Sequence, residues 1–150
     1  MAQDKLARAT IKYIKKYGED VIGSGWGVKV FVVPASEMPA ITPDPNDQKM
    51  AVIESKVGEK KSLLWINENI EWGPWWNDLE LTVVHELLHV LFDQLGFSVT
   101  INRTLGELVK VVPPQGAILS EAVRSAVEEL IDRLAGIIMG RHSGKTSRSE

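Results

Sequence analysis

The sequence predicts an α+β fold: a helix at the start, a small sheet of three to four strands, and two longer helices after it. Three observations carry this expectation. Apolar residues recur at helical spacing near the N-terminus, three short β-branched runs cluster between residues 28 and 67, and two long apolar-periodic runs follow. Strands gathered together with helices to either side mark an α+β arrangement rather than alternating βαβ units. Residues 1–140 read as one domain, and the polar, aperiodic stretch 141–150 reads as a disordered tail.

Composition narrows the function classes. Hydrophobic residues fill 44% of the 150 positions and charged residues 25%, which suits a soluble globule able to bury a core without staples. A net charge of −3 gives no general affinity for nucleic acid or an anionic membrane. There are no cysteines, so any metal has to be held by histidine and carboxylate. Residues 1–8 lack an apolar signal core and no run reaches the roughly eighteen apolar residues of a membrane span, so the expected location is cytoplasmic.

Taken in order, Asp4 to Tyr17 places Leu6, Thr10, Tyr13, Ile14 and Tyr17 on one helical face, with Gly18 as the expected stop. The lysines and Arg8 on the other face read as solvated surface. Gly23 to Gly27 is a turn, since it lacks the spacing and the Lys-Ser/Thr of a phosphate-binding loop. Val28–Val33, Met50–Lys56 and Ser62–Asn67 read as strands, with Val57–Lys61 as a turn and the proline-rich stretch Pro34–Asn46 as a loop. These strands imply a largely antiparallel or mixed sheet. Leu63–Asn67 reads either as an edge open to an extended peptide or as an ordinary edge or central strand. The tryptophans of Trp72–Trp76 either line a pocket or pack beneath their loop, and packing is the favoured expectation.

Leu79 to Leu95 reads as a helix, with Asn77 and Glu80 as a capping box and Gly96 as its stop. Phe97–Ile101 reads as extended, Leu105–Val112 as helix or strand, and Pro113–Gly116 as a break. From Ser120, a candidate N-cap, to about Met139 runs a last helix with Val123, Val127, Leu130, Ile131, Leu134, Ile137 and Ile138 as its apolar set.

Within the middle helix stands His85-Glu86-Leu87-Leu88-His89. Two histidines four positions apart lie on one helical face about a turn apart, so both imidazoles reach a single ion while Glu86 points beside it. Neutral imidazole suits a borderline ion such as Zn²⁺, and a carboxylate beside it suits proton transfer to and from water. With three histidines and thirteen glutamates in the chain, this pattern arises by chance in about 0.5% of shuffled sequences. The flanking Val83, Val84, Leu88, Val90 and Leu91 predict burial, which is costly for His and Glu side chains without a partner.

A catalytic zinc site takes three protein ligands. An extended motif with a third histidine requires a glycine and then that histidine at the third and sixth positions after His89, where this chain has Phe92 and Leu95. His142 lies in the tail, which leaves a carboxylate. Asp93 is placed to orient the His89 ring. Glu128 sits at the border of the inward face of the last helix and is the favoured ligand. Glu121 and Glu129 are the alternatives.

The run His85-Glu86-Leu87-Leu88-His89-Val90-Leu91, with Glu128 to Ala135 downstream, resembles a minimal zincin metallopeptidase of the gluzincin type. It is similar to small zincin-like proteins of phages and prophages and, more distantly, to ImmA/IrrE-type peptidases. The resemblance implies a zincin-like fold and a zinc metallopeptidase that hydrolyses peptide bonds of a protein or peptide substrate through a zinc-activated water. It further implies Glu86 as the catalytic base and His85, His89 and Glu128 as the metal ligands. Zincins usually add a His, Tyr or Arg that stabilises the oxyanion. In this chain Tyr13 and Tyr17 belong to the first helix, leaving Arg103 and Arg124 as candidates. The alternative reading is a catalytically inactive or regulatory zincin-fold metal-binding module that grips a protein partner.

Overall fold

The computed structural model describes residues 3–39, 49–73 and 77–147. Two compact units emerge, Met1–Val90 and Leu91–Glu150, with the boundary inside one continuous helix. The class is α+β, as expected: a helix, a three-stranded mixed sheet, then three helices. No described helix is long and apolar enough to cross a membrane.

In the first unit, α1 spans Gln3–Ile22 and buries Leu6, Thr10, Tyr17, Val21 and Ile22. It does not end at Gly18. An interior glycine costs a helix about 1 kcal/mol, and burying Val21 and Ile22 one turn further on outweighs that. The stop falls at Gly23, at φ 87°, whose N–H donates to Glu19 O at 3.0 Å. Strand β1 (Gly27–Val33) follows, with α1 packed on it and the Gln3 side-chain amide donating to Val32 O at 2.6 Å.

The remaining strands are β2 (Ala51–Lys56) and β3 (Lys61–Asn67), in the spatial order β1-β3-β2. β3 runs parallel to β1 and antiparallel to β2. Val30, Leu64 and Ile53 stand abreast across the sheet, as do Val32, Ile66 and Ala51, so period-2 alternation puts one apolar row on the buried face. This corrects the edge reading of Leu63–Asn67. Among the described residues β3 is central, paired with β1 on one side and β2 on the other, and β1 and β2 form the edges. The β2–β3 turn is a tight 3-10 turn, Val57–Glu59, closed by Lys60 in the left-handed region at φ 51°.

Residues 40–48, including Pro43 and Pro45, lie outside the described residues, as do Trp75 and Trp76. Trp72 donates its indole N–H to Asn67 O at 3.0 Å, which ties it to the end of β3. Asn67 is itself buried and donates its side-chain amide to Lys49 O at 3.0 Å.

Helix α2 spans Leu79–Gln94, as the sequence predicts. Its cap is Asp78 rather than Asn77: the Asp78 carboxylate accepts the Leu81 N–H at 3.3 Å, and the Asn77 side-chain amide donates instead to Glu71 O. At the other end Gly96, at φ 68°, supplies the expected stop, and its N–H donates to Asp93 O at 3.0 Å.

In the second unit, α3 spans Phe97–Val111 and α4 spans Pro113–Ser147. The extended expectation for Phe97–Ile101 gives way to helix, one that buries Leu105. Pro113 does end α3, but it also opens α4. Proline fits the first helical turn because the N–H it lacks would go unpaired there anyway. Ser120 is therefore an interior, buried residue of α4 rather than its cap. α3 and α4 meet in a sharp corner, where a Cβ on Gly116 would stand 2.8 Å from the Leu108 carbonyl carbon and oxygen. Backbone helicity continues through the polar stretch 141–147.

Candidate metal centre

Helix periodicity does what the motif requires. His85 and His89 lie on the same side of α2, both half-buried, with ring centroids 5.0 Å apart and planes at 61°. Their Nε2 atoms approach to 3.2 Å. Two imidazole nitrogens at about 2.0–2.1 Å from one tetrahedral ion stand roughly 3.3 Å apart, so the pair already has the separation of two ligands on a shared ion. Glu86, which follows His85 directly in sequence, is buried at 9% exposure.

Glu128, the third ligand that the sequence favours, lies on α4 in the second unit. Glu128 is exposed, while Ile131 and Ala135, one and two turns on, are fully buried. It thus occupies the border of the inward face that the sequence predicts. A nitrogen, nitrogen, carboxylate set is a proper donor set for a divalent ion such as zinc.

The other candidates are employed elsewhere. Glu129 is exposed and pairs with Arg133 at 2.8 Å, one helical turn away. Glu121 and Arg124 line an open cleft of about 440 Å³ together with Val109, Ala117 and Ser120. Asp93 is half-buried and closes α2 through its carbonyl. His142 falls in a stretch whose side chains are outside the described residues. Arg103 is an exposed residue of α3.

One constellation escaped the sequence reading. Glu80, expected in a capping box, instead accepts hydrogen bonds from the Tyr17 hydroxyl and, at 2.9 Å, from Lys16 Nζ, both on α1. Lys16 also lies 5.0 Å from the centre of the Tyr17 ring. Burial, then the bond to Glu80, pushes the Tyr17 phenol up from its ordinary value. The Glu80 bond, followed by that to Tyr17, raises Lys16. For Glu80 itself burial acts upward, but the hydrogen bonds and positive charge from α1 outweigh it and hold the carboxyl below its ordinary value. Periodicity gave no sign of this contact, because α1 and α2 are more than fifty residues apart in sequence.

No family model matches the chain, and neither the curated proteins nor the solved structures provide a match.

Proposed function

We propose that the protein is a zinc-dependent metallopeptidase of the zincin type, acting on a protein or peptide substrate in the cytoplasm. The observation that carries this reading is the pair His85 and His89 on one side of α2, their Nε2 atoms 3.2 Å apart, beside the buried Glu86. His85 and His89 would hold the ion, with Glu128 as the third ligand that the sequence favours. Bound there, zinc supplies Lewis acidity toward a peptide carbonyl and makes water a stronger acid.

The chain's own chemistry centres on Glu86. Its carboxylate takes a proton from the attacking water, whose oxygen bonds to the carbonyl carbon. As the C–N bond breaks, Glu86 returns that proton to the departing amine. Burial of Glu86 limits its exchange with bulk water during this cycle. Arg124 and Arg103 remain the cationic candidates for stabilising the oxyanion.

A second reading, a zincin-fold binding module, draws support from the apolar side chains that the second unit exposes, among them Val111 at 76%, Ile118 at 72% and Ile137 at 59%. The two readings separate in a pair of measurements. Elemental mass spectrometry should find about one zinc per chain in the wild type, with weakened retention in Glu128→Ala. Glu86→Gln should keep its zinc; loss of cleavage in that variant marks an enzyme, whereas a wild type that cleaves nothing but binds a partner marks a module. Protein that takes up no zinc when zinc is offered would sink both.

A further inference from the structure

α2 is apolar over more than half of its circumference. Val83, Val84, Leu87, Leu88, Val90 and Phe92 are all buried, and at about 100° per residue they leave little that distinguishes one rotational setting of the helix from another. Nonpolar burial is non-directional, so it holds such a helix in place without strongly fixing its rotation about its own axis. A site built from His85, Glu86 and His89 is sensitive to that rotation, since its geometry tolerates only about 0.5 Å and 10–20°.

The polar cluster on α1 supplies direction. Glu80 lies roughly 160° round α2 from the two histidines, by the same rotation per residue. There it accepts a hydrogen bond from a buried tyrosine and another from a lysine. A partly buried carboxylate adds little net stability over an apolar contact of the same size, and the best-attested use of such groups is to select one register. We propose that Tyr17 and Lys16, acting through Glu80, set the rotation of α2 and are positioning residues for His85, Glu86 and His89. This inference deepens the metal-site reading and rests on it for its consequence in function, but not for the contact itself.

The test uses the full chain with cobalt(II) as the probe, because its visible d–d spectrum reports ligand geometry. Tyr17→Phe and Glu80→Leu should bind cobalt about tenfold more weakly than the wild type or worse, with a shifted band, as loss of supporting contacts around metal ligands commonly does. Glu80→Gln keeps an oxygen acceptor for Tyr17 and should recover most of both. Leu6→Val, which trims the α1 core, should lower stability while leaving affinity and spectrum alone. Tyr17→Phe and Glu80→Leu variants that match the wild type in cobalt affinity and spectrum would overturn the inference. The imidazole NMR signals of His85 and His89 in metal-free protein provide a second readout: shifts in Tyr17→Phe and Glu80→Leu but not in Leu6→Val support positioning, and unshifted signals overturn it. A wild type that refuses cobalt yet shows those shifts would remove the metal reading and leave the positioning role standing.

Discussion

Glu80 carries a negative charge that donors from α1 hold in place against partial burial, so its titration is coupled to folding. Its folded value lies below the ordinary 4.5, and the stability it contributes is therefore present above pH 4.5 and lost as pH falls through the depressed folded value. Lys16 and Tyr17 work in the opposite direction: both are raised, so their contributions are present below their ordinary 10.5 and 10.0 and disappear as pH rises past the folded values. Urea midpoints measured against pH should show Glu80→Gln about 1–2 kcal/mol less stable near neutrality, the lower end being favoured by solvent screening at Lys16. Its loss of stability below pH 4.5 should also be shallower than in the wild type. At the same scale, Glu86→Gln removes a base while keeping the shape of the side chain. Turnover on a cleaved substrate should fall about 10²–10⁴-fold with metal content unchanged, and a variant that retained turnover would show that proton transfer lies elsewhere. The shared helical face of His85 and His89 was legible because a five-residue spacing encodes it. Glu80 was misread because its partners arrive from a distant element, and sequence-local rules offered it a local job.

At the scale of elements, the glycines divide by what surrounds them. A methyl group at Gly116 would press within 3.0 Å of the Leu108 and Val109 backbones where α3 turns into α4, and backbone cannot swing aside as a side chain can. Gly136, also in α4, has nothing within 4 Å of where a Cβ would sit. Gly116→Ala should therefore destabilise by about 1–3 kcal/mol, overpacking outweighing the gain in helix propensity. Gly136→Ala should stabilise by about 0.5–1 kcal/mol. Thermal unfolding of the two variants side by side checks the sign of each. The same contrast explains what the sequence revealed of the helices. Helix existence and type were readable for α1, α2 and α4 from periodicity, while their ends depended on which glycine or proline the tertiary structure could absorb. Gly18 was absorbed, Gly23 was not, and Pro113 served as a beginning as well as an end. Strands could be found from β-branched content, but their order could not, since nothing local to Leu63–Asn67 reveals that β1 will lie alongside it in parallel.

At the scale of the whole chain, the third ligand is the most demanding inference. Glu121, Glu128 and Glu129 are chemically equivalent in the sequence, and only the inward border marked by Ile131 and Ala135 set Glu128 apart. If zinc binds the folded chain through three side chains and the unfolded chain only weakly, mass action must raise the unfolding temperature with free zinc. At a free concentration of about one hundred times Kd the gain is about 2.7 kcal/mol, which for a chain of 150 residues corresponds to roughly 5–11 °C. Differential scanning calorimetry of the chelated protein, titrated with zinc, should show that rise in the wild type and in Glu86→Gln, whose ligands are intact. Glu128→Ala should need a much higher zinc concentration for the same rise, while Glu129→Ala, which loses only an exposed pair with Arg133, should follow the wild type. Equal responses in the two glutamate variants would mean that Glu128 is not a ligand and that the two histidines act alone or with a different third group.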